Sequence, residues 1–381
     1  AQLKFKAQQV GENLRKISKM KLPEAEPIIG SVEKYNYRNK LEYTFSNKKW
    51  LTPEEIQTKG LINKNALGFH IPKKFDKILD INHCHLQPNP SNEIRLALKN
   101  FAQNQDLTFY DIRKQKGLLR NLIIRTTTTQ ETMVIVQFGE ADQEKIKKVM
   151  QFLSKHFPKL SSLLYLVNLK KNETIYDQHI ITYKGKDFII EKIGDLRFKI
   201  GPKSFFQTNP TQAYELYKKI IAFAGLKGNE LVFDLYSGTG TIANFIAKNC
   251  RKVIGIESVP EAVEDARVNS MLNKINNTAF YAGDMKDMLS GSFIKINGRP
   301  ELVITDPPRM GMHQNVIKAL IQLNPERIIY VSCNPATQAR DMELMSDHYE
   351  AIKSQPIDMF PHTQHIENIV LLKTKQYVQR S

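Results

Sequence analysis

Apolar positions recur at helical spacing over residues 2–19, where Leu3, Val10, Leu14 and Ile17 share one face and basic residues fill much of the rest. Pro23 and Pro27 end that pattern and begin a linker. Between Ile28 and Ile193 the period shortens. EYTFS, NLIIRTTTT, TMVIVQFG and SLLYLVNL are short runs rich in β-branched and aromatic residues, divided by turns. Helical stretches near 93–104 and 142–156 interrupt them, which predicts a mixed α+β domain. From Leu196 onward strands alternate with helices. GPKSFFQTNPTQAYELYKKI (201–220) reads as a loop and then a helix from Pro210, and ELVFDLYSGTGTIANFIAKN (230–249) as strand, turn and helix. VIGIE (253–257), AFYAGD ending at Asp284 and ELVITDPPR with Asp306 at its strand end add three strands. Arg327 to Ser332 is a fifth, and 352–358 and 368–374 supply a final pair read as a hairpin. The expected architecture is α/β: a seven-stranded, Rossmann-like sheet over 196–381, an α+β domain over 28–195, and a helix with linker over 1–27 that packs on the sheet domain.

The 381 residues carry 55 Lys+Arg against 39 Asp+Glu, a net charge of +16, which points to a polyanionic partner. Nucleic acid is the commonest such partner. KYNYRNKLEYTF (34–45) interleaves aromatic and basic residues, and GLLRNLIIRT (117–126) adds Arg120 and Arg125. Arg38, Lys40 and Arg120 are the candidate phosphate contacts, and aromatics beside them can stack on unpaired bases. Three separated cysteines give no disulfide framework and suit a reducing cytoplasm. Neither a signal peptide nor an 18-residue apolar run is visible, so export and membrane spanning are not expected. A monomer is expected. The chain opens on Ala1 inside an amphipathic pattern, as a fragment of a longer protein would. Cys84, between His83 and His85, has no neighbouring cysteine to share a metal, which favours a structural role.

The chemistry-bearing residues fall at the carboxyl ends of the predicted strands, where an open parallel sheet forms its ligand cleft. Gly238-Thr-Gly240 opens a helix as glycine-rich nucleotide-binding turns do, and Glu257, ending the next strand, can accept both hydroxyls of a ribose. No second phosphate-binding turn follows, and Asp306-Pro307-Pro308-Arg309 makes a rigid acceptor loop for a flat polar ring. These features fit S-adenosylmethionine better than a dinucleotide. Cys333 ends the fifth strand immediately before a helix start, with Asn334 as cap and Pro335 in the first turn. Unpaired N–H groups at that start are expected to favour its thiolate.

DLYSGTGT, GIESVPEAVEDARVN, ITDPPRMGM, VSCNPATQARDM and DMFPHTQHIENIVLL, with FFQTN and YRNKLEY upstream, resemble the RNA (uracil-5-)-methyltransferase family of the TrmA/RumA type. The resemblance spans nearly the whole chain. It implies that Cys333 is the nucleophile and Glu367 the base, that Gln207, Tyr236, Glu257 and Asp306 contact cofactor or target base, and that Thr241 and Asp284 lie alongside. Gly238 and Gly240 are expected to line the cofactor, and Phe205 and Asp306 the substrate. The ribosomal branch of the family often carries a TRAM domain and a cysteine cluster holding [4Fe–4S]. Cys84 resembles the fourth cysteine of that cluster, whose partners would belong to a longer form of the protein. Ser237 stands where the family usually has a cysteine. With the basic first helix, these features lean toward 23S rRNA as substrate, a tRNA T-loop uridine being the alternative.

The residue types also suit the reaction on their own terms. The 5-carbon of uracil is a poor nucleophile until a thiolate adds at the 6-carbon, and the product of methyl transfer must then lose its 5-proton to a base. His362 and His365, beside Glu367, read as positioning residues, with His365 next in line as base. An RNA cytosine-5 methyltransferase would carry a second cysteine where Pro308 stands, and a small-molecule or protein methyltransferase would not need the basic α+β domain. A non-catalytic RNA-binding module would tolerate loss of Cys333 and Glu367, and both are present.

Overall fold

The computed structural model describes residues 1–58 and 63–375, which divide into two compact units. One unit comprises residues 1–34, 193–198 and 204–375 of the described chain, and the other 35–192 and 199–203. The chain opens with α1 (Gln2–Ile17). The linker after it runs beside the last part of the same unit: the Ile29 N–H donates to the Pro356 carbonyl and the Asp358 N–H to the Ile29 carbonyl.

The 35–192 unit contains β1 (Lys40–Ser46), α2 (Pro53–Gln57), β2 (Ala66–Ile71), β3 (Lys74–Asp80), α3 (Ser91–Asn104) and β4 (Leu119–Thr126). Then come β5 (Thr132–Phe138), α4 (Gln143–His156), β6 (Ser162–Val167) and β7 (Ile181–Gly185). Its sheet runs β3-β2-β1-β4-β5-β6-β7 and is antiparallel except between β5 and β6. The parallel pair needs a crossover, which α4 provides, capped by the Asp142 carboxylate on the Lys145 N–H. Ile94 and Leu98 of α3 and Ile146, Val149 and Leu153 of α4 join the core formed with Tyr43, Leu122, Val134 and Val136. β8 (Ile189–Ile193) and β9 (Leu196–Ile200) pair as a separate two-stranded sheet.

In the other unit α5 (Pro210–Ala224) precedes β10 (Leu231–Leu235), α6 (Thr241–Ile246), β11 (Lys252–Glu257), α7 (Pro260–Leu272) and β12 (Thr278–Ala282). Two short helices, α8 (Met285–Met288) and α9 (Gly291–Asn297), lead to β13 (Leu302–Thr305), α10 (Gln314–Leu323) and β14 (Arg327–Ser332). Then α11 (Pro335–Leu344), β15 (Tyr349–Ile357) and β16 (Glu367–Thr374) complete it. The order β12-β11-β10-β13-β14-β16-β15 is parallel through β14, with β16 and β15 added antiparallel as a hairpin. This is the seven-stranded Rossmann-like sheet the alternating pattern predicts. Val10 and Leu14 of α1 are buried in its core with Ala339, Met342 and Met345, so the first helix caps α11. Among the described residues no helix is long and apolar enough to cross a membrane.

Candidate active site

The turn after β10 needs residues that tolerate positive φ. Tyr236 has φ 61°, Gly238 51° and Gly240 74°. A side chain at Gly240 would meet Ala266 and Phe280 within 3 Å, so close packing of the turn on α7 and β12 demands glycine there. Gly238 has open space where a Cβ would stand. Its N–H donates to Oε2 of Glu257 at 3.0 Å, while Oε1 accepts from the Val259 N–H at 2.9 Å. Thr241 opens α6 within reach of Thr239, and the buried Asp234 accepts the Ala243 N–H at 3.0 Å. Burial lifts the Asp234 carboxyl to about 8 against that hydrogen bond. Asp284 caps α8 and is held below the usual carboxylate range by the Lys286 N–H. Burial, then the charge of Asp284, raises the Tyr236 phenol to about 12. Carboxylates around an open glycine turn are an acceptor set that fits the hydroxyls and ammonium of S-adenosylmethionine. Gln207 lies in the loop before α5, and Phe205, two residues before it, is 70 % exposed.

The loop after β13 is pinned from α11. Its Arg309 carbonyl accepts Asn334 Nδ2 and Thr337 Oγ1, each at 3.2 Å, and the Met312 N–H donates to Asp341 Oδ2 at 2.7 Å. Tyr330 holds the same Asp341 oxygen at 2.6 Å. Asp306 and Glu367 both act on the Cys333 thiol, and Asp306 also acts on Glu367. Burial raises the Asp306 carboxyl to about 7. Glu367, 5 % exposed at the start of β16, is raised well above its ordinary value by burial and then by Asp306, with Arg309 opposing.

Cys333 does not show the thiolate expected at a helix start. Burial, then Glu367 and Asp306, pushes the thiol up to about 11. The helix end cannot prevent this, because Asn334 caps the Ala336 N–H with its own side chain and the Asn334 N–H goes to Ser332 Oγ. The opposing influence is Arg309, hydrogen-bonded to the thiol, whose guanidinium also lies 2.7 Å from Nδ1 of His365. Arg309 escaped the sequence reading as a site residue, although its place three residues after Asp306 in the rigid loop was a usable signal.

The basic residues of the other unit divide. Arg120 is not available to phosphates: it is fully buried and donates to the carbonyls of Asn168, Lys170, Lys171 and Asn172, with its guanidinium 4.5 Å from the centre of the Tyr110 ring. An arginine on the inner face of β4 ties down the 168–172 loop. Lys40 is ion-paired with Glu42 at 2.5 Å, and burial lowers its ammonium. Arg38 is partly exposed, its Nε on the Lys40 carbonyl at 3.1 Å. Cys84 is 5 % exposed in the core, its N–H and carbonyl both bonded by Asn92. Among the described residues no group of three or more His, Cys, Asp or Glu could hold a metal.

The sequence model of the tRNA (uracil-5-)-methyltransferase family matches residues 118–375. An uncharacterized RNA methyltransferase of Bacteroides thetaiotaomicron is 54 % identical over 378 residues, 98 % of this chain and 83 % of its own length. One from Porphyromonas gingivalis is 54 % identical over 379 residues, 97 % and 82 % of the two chains. The crystal structure of Pyrococcus abyssi tRNA (uracil-54, C5)-methyltransferase in complex with S-adenosyl-L-homocysteine superposes with a TM-score of 0.77 at 30 % identity, covering 97 % of this chain and 82 % of that one.

Proposed function

Because this chain belongs to the tRNA (uracil-5-)-methyltransferase family, we propose that it works covalently, with Cys333 as nucleophile and Glu367 as the base that completes the reaction. The chain is an S-adenosylmethionine-dependent RNA (uracil-5-)-methyltransferase. The observation that carries the covalent reading is the convergence of one thiol and two buried carboxyl groups: Asp306 and Glu367 both raise the Cys333 thiol, and Asp306 raises Glu367.

S-adenosylmethionine supplies an electrophilic methyl group. Glu257 and the 238–241 turn would hold its ribose, with Gln207, Tyr236 and Asp284 around the rest. Arg309, against the thiol, favours the anion that adds to the uracil 6-carbon. Asp306, whose proton affinity lies near neutrality, can donate a hydrogen bond where enolate charge develops on the ring. After methyl transfer the Glu367 carboxylate takes the 5-proton. The electron pair of that bond restores the 5,6 double bond and expels the Cys333 thiolate.

For the RNA, Cys84, which resembles the fourth cluster cysteine of the ribosomal branch, and the basic first helix favour a 23S rRNA uridine. A tRNA T-loop uridine is the second reading, favoured by the substrate named for the Pyrococcus relative. Incubating the protein with methyl-labelled cofactor and either RNA, then digesting to nucleosides for mass spectrometry, tests both points. Label is expected in 5-methyluridine from 23S rRNA, and Cys333→Ala is expected to give neither product nor adduct. 5-Methyluridine made by Cys333→Ala would refute the covalent route, and label confined to tRNA would select the second substrate.

A further inference from the structure

Lys6 sits on α1 with its side chain fully buried, an unusual place for a lysine. Its Nζ lies 2.6 Å from Asp358 Oδ1 and donates to the Phe360 carbonyl at 3.1 Å. That carbonyl also accepts the N–H and Oγ1 of Thr363, at 3.3 and 2.8 Å, so the 358–366 loop is wound around one oxygen. Thr363 Oγ1 in turn accepts the N–H of His365 at 3.1 Å, and the His365 ring meets Arg309. Outside this core Gln2 Nε2 donates to the Thr363 carbonyl at 3.2 Å, and the His362 N–H donates to Gln2 Oε1 at 3.4 Å. Two residues beyond His365 the loop delivers Glu367 to the start of β16.

We infer that Lys6 is a positioning residue for removal of the uracil 5-proton: through Asp358 and the Phe360 carbonyl it fixes the loop that aims Glu367 and seats His365 on Arg309. The inference rests on the assignment of Glu367 as base. Stability alone does not require this pair, since well-packed apolar residues commonly replace a buried ion pair without loss. What an apolar pair would not do is wind the loop around its carbonyl.

A loop released at Lys6 leaves nucleophile and cofactor turn in place but lets the base drift, so the step that suffers is the last one. Lys6→Met keeps the stem and removes the ammonium. Its kcat is expected to fall roughly tenfold to a hundredfold, the scale on which a displacement of about 1 Å acts. KM for S-adenosylmethionine should hold, and the methylated Cys333–RNA adduct, transient in the parent, should accumulate on a denaturing gel. Thr363→Val, partly buried and nearly isosteric, should shift both readouts the same way by less, and it decides the matter should Lys6→Met not fold. Glu367→Gln runs beside them. Adduct in Glu367→Gln but in neither of the others, or turnover and adduct lost in equal proportion, overturns the positioning role and leaves the base assignment standing. Adduct in none of the three overturns the base assignment, and the inference with it.

Discussion

Replacing Glu367 by Gln keeps the shape of the side chain and removes its capacity to take a proton. Loss of a general base costs about 10²–10⁴-fold in rate, or roughly 3–5 kcal/mol at about 1.4 kcal/mol per decade. Addition and methyl transfer do not use that group, so the enzyme should stall as a cofactor-dependent protein–RNA band containing Cys333. The same variant carries a stability signature of defined sign. In the folded protein Glu367 binds its proton more tightly than in the unfolded chain, because burial and the neighbouring Asp306 disfavour its charge. The folded state therefore holds more protons than the unfolded one above the ordinary carboxylate pKa of 4.5. Parent stability must fall as pH rises from there through the folded value, by up to about 1.4 kcal/mol for each unit by which the pKa is raised. Gln has no such dependence. Thermal melts should then show the variant gaining on the parent as pH rises above the ordinary carboxylate range. Turnover at the parent rate would refute the catalytic role. A stability gap that ignores pH would refute the claim that Glu367 carries a raised pKa in the fold.

The Cys333 thiol, lifted to about 11, should be alkylated by iodoacetamide roughly tenfold faster per pH unit below that value. At fixed pH Glu367→Gln should speed this reaction and Arg309→Met slow it, as read by mass spectrometry of the Cys333 peptide. Glu257→Ala removes the acceptor of the Gly238 N–H and should weaken S-adenosylmethionine binding by roughly 1.5–3 kcal/mol in calorimetry. Arg120→Ala removes a donor from four carbonyl acceptors, of which Asn172 keeps Asn168 Nδ2. It should destabilise the protein by about 3–5 kcal/mol, while the salt dependence of RNA affinity for the folded fraction stays as in the parent.

The sheet was legible because its information is local. A buried run such as Arg327–Ser332 followed by Asn334 and Pro335 names a strand, a cap and a helix in ten letters, and the structure has each of them. The carboxyl ends of those strands placed Cys333, Glu257 and Asp306 along one edge by the same logic. What failed was what depends on distant residues. Arg120 looked like a phosphate contact because its strand neighbours are apolar and basic. Its carbonyl partners lie 48 to 52 residues further on. The thiolate expectation counted the helix end and missed that Asn334 uses it, while burial, and then carboxyl groups from residues 367 and 306, raise the thiol. Sequence shows what each element is, and hides which charges fold in beside it.

The pairing of Lys6 with Asp358 also bears on how the chain is made. The two residues are 352 positions apart, so at roughly 5–20 residues per second the first helix waits about 20–70 seconds for its partner to be translated. All of the 35–192 unit has been translated by then, while α1 with Val10 and Leu14 remains without the α11 surface against which they are buried. A nascent chain therefore keeps the apolar face of this helix exposed for most of its synthesis. Chains truncated before β16 should be held by chaperones or aggregate rather than accumulate as a partly active methyltransferase.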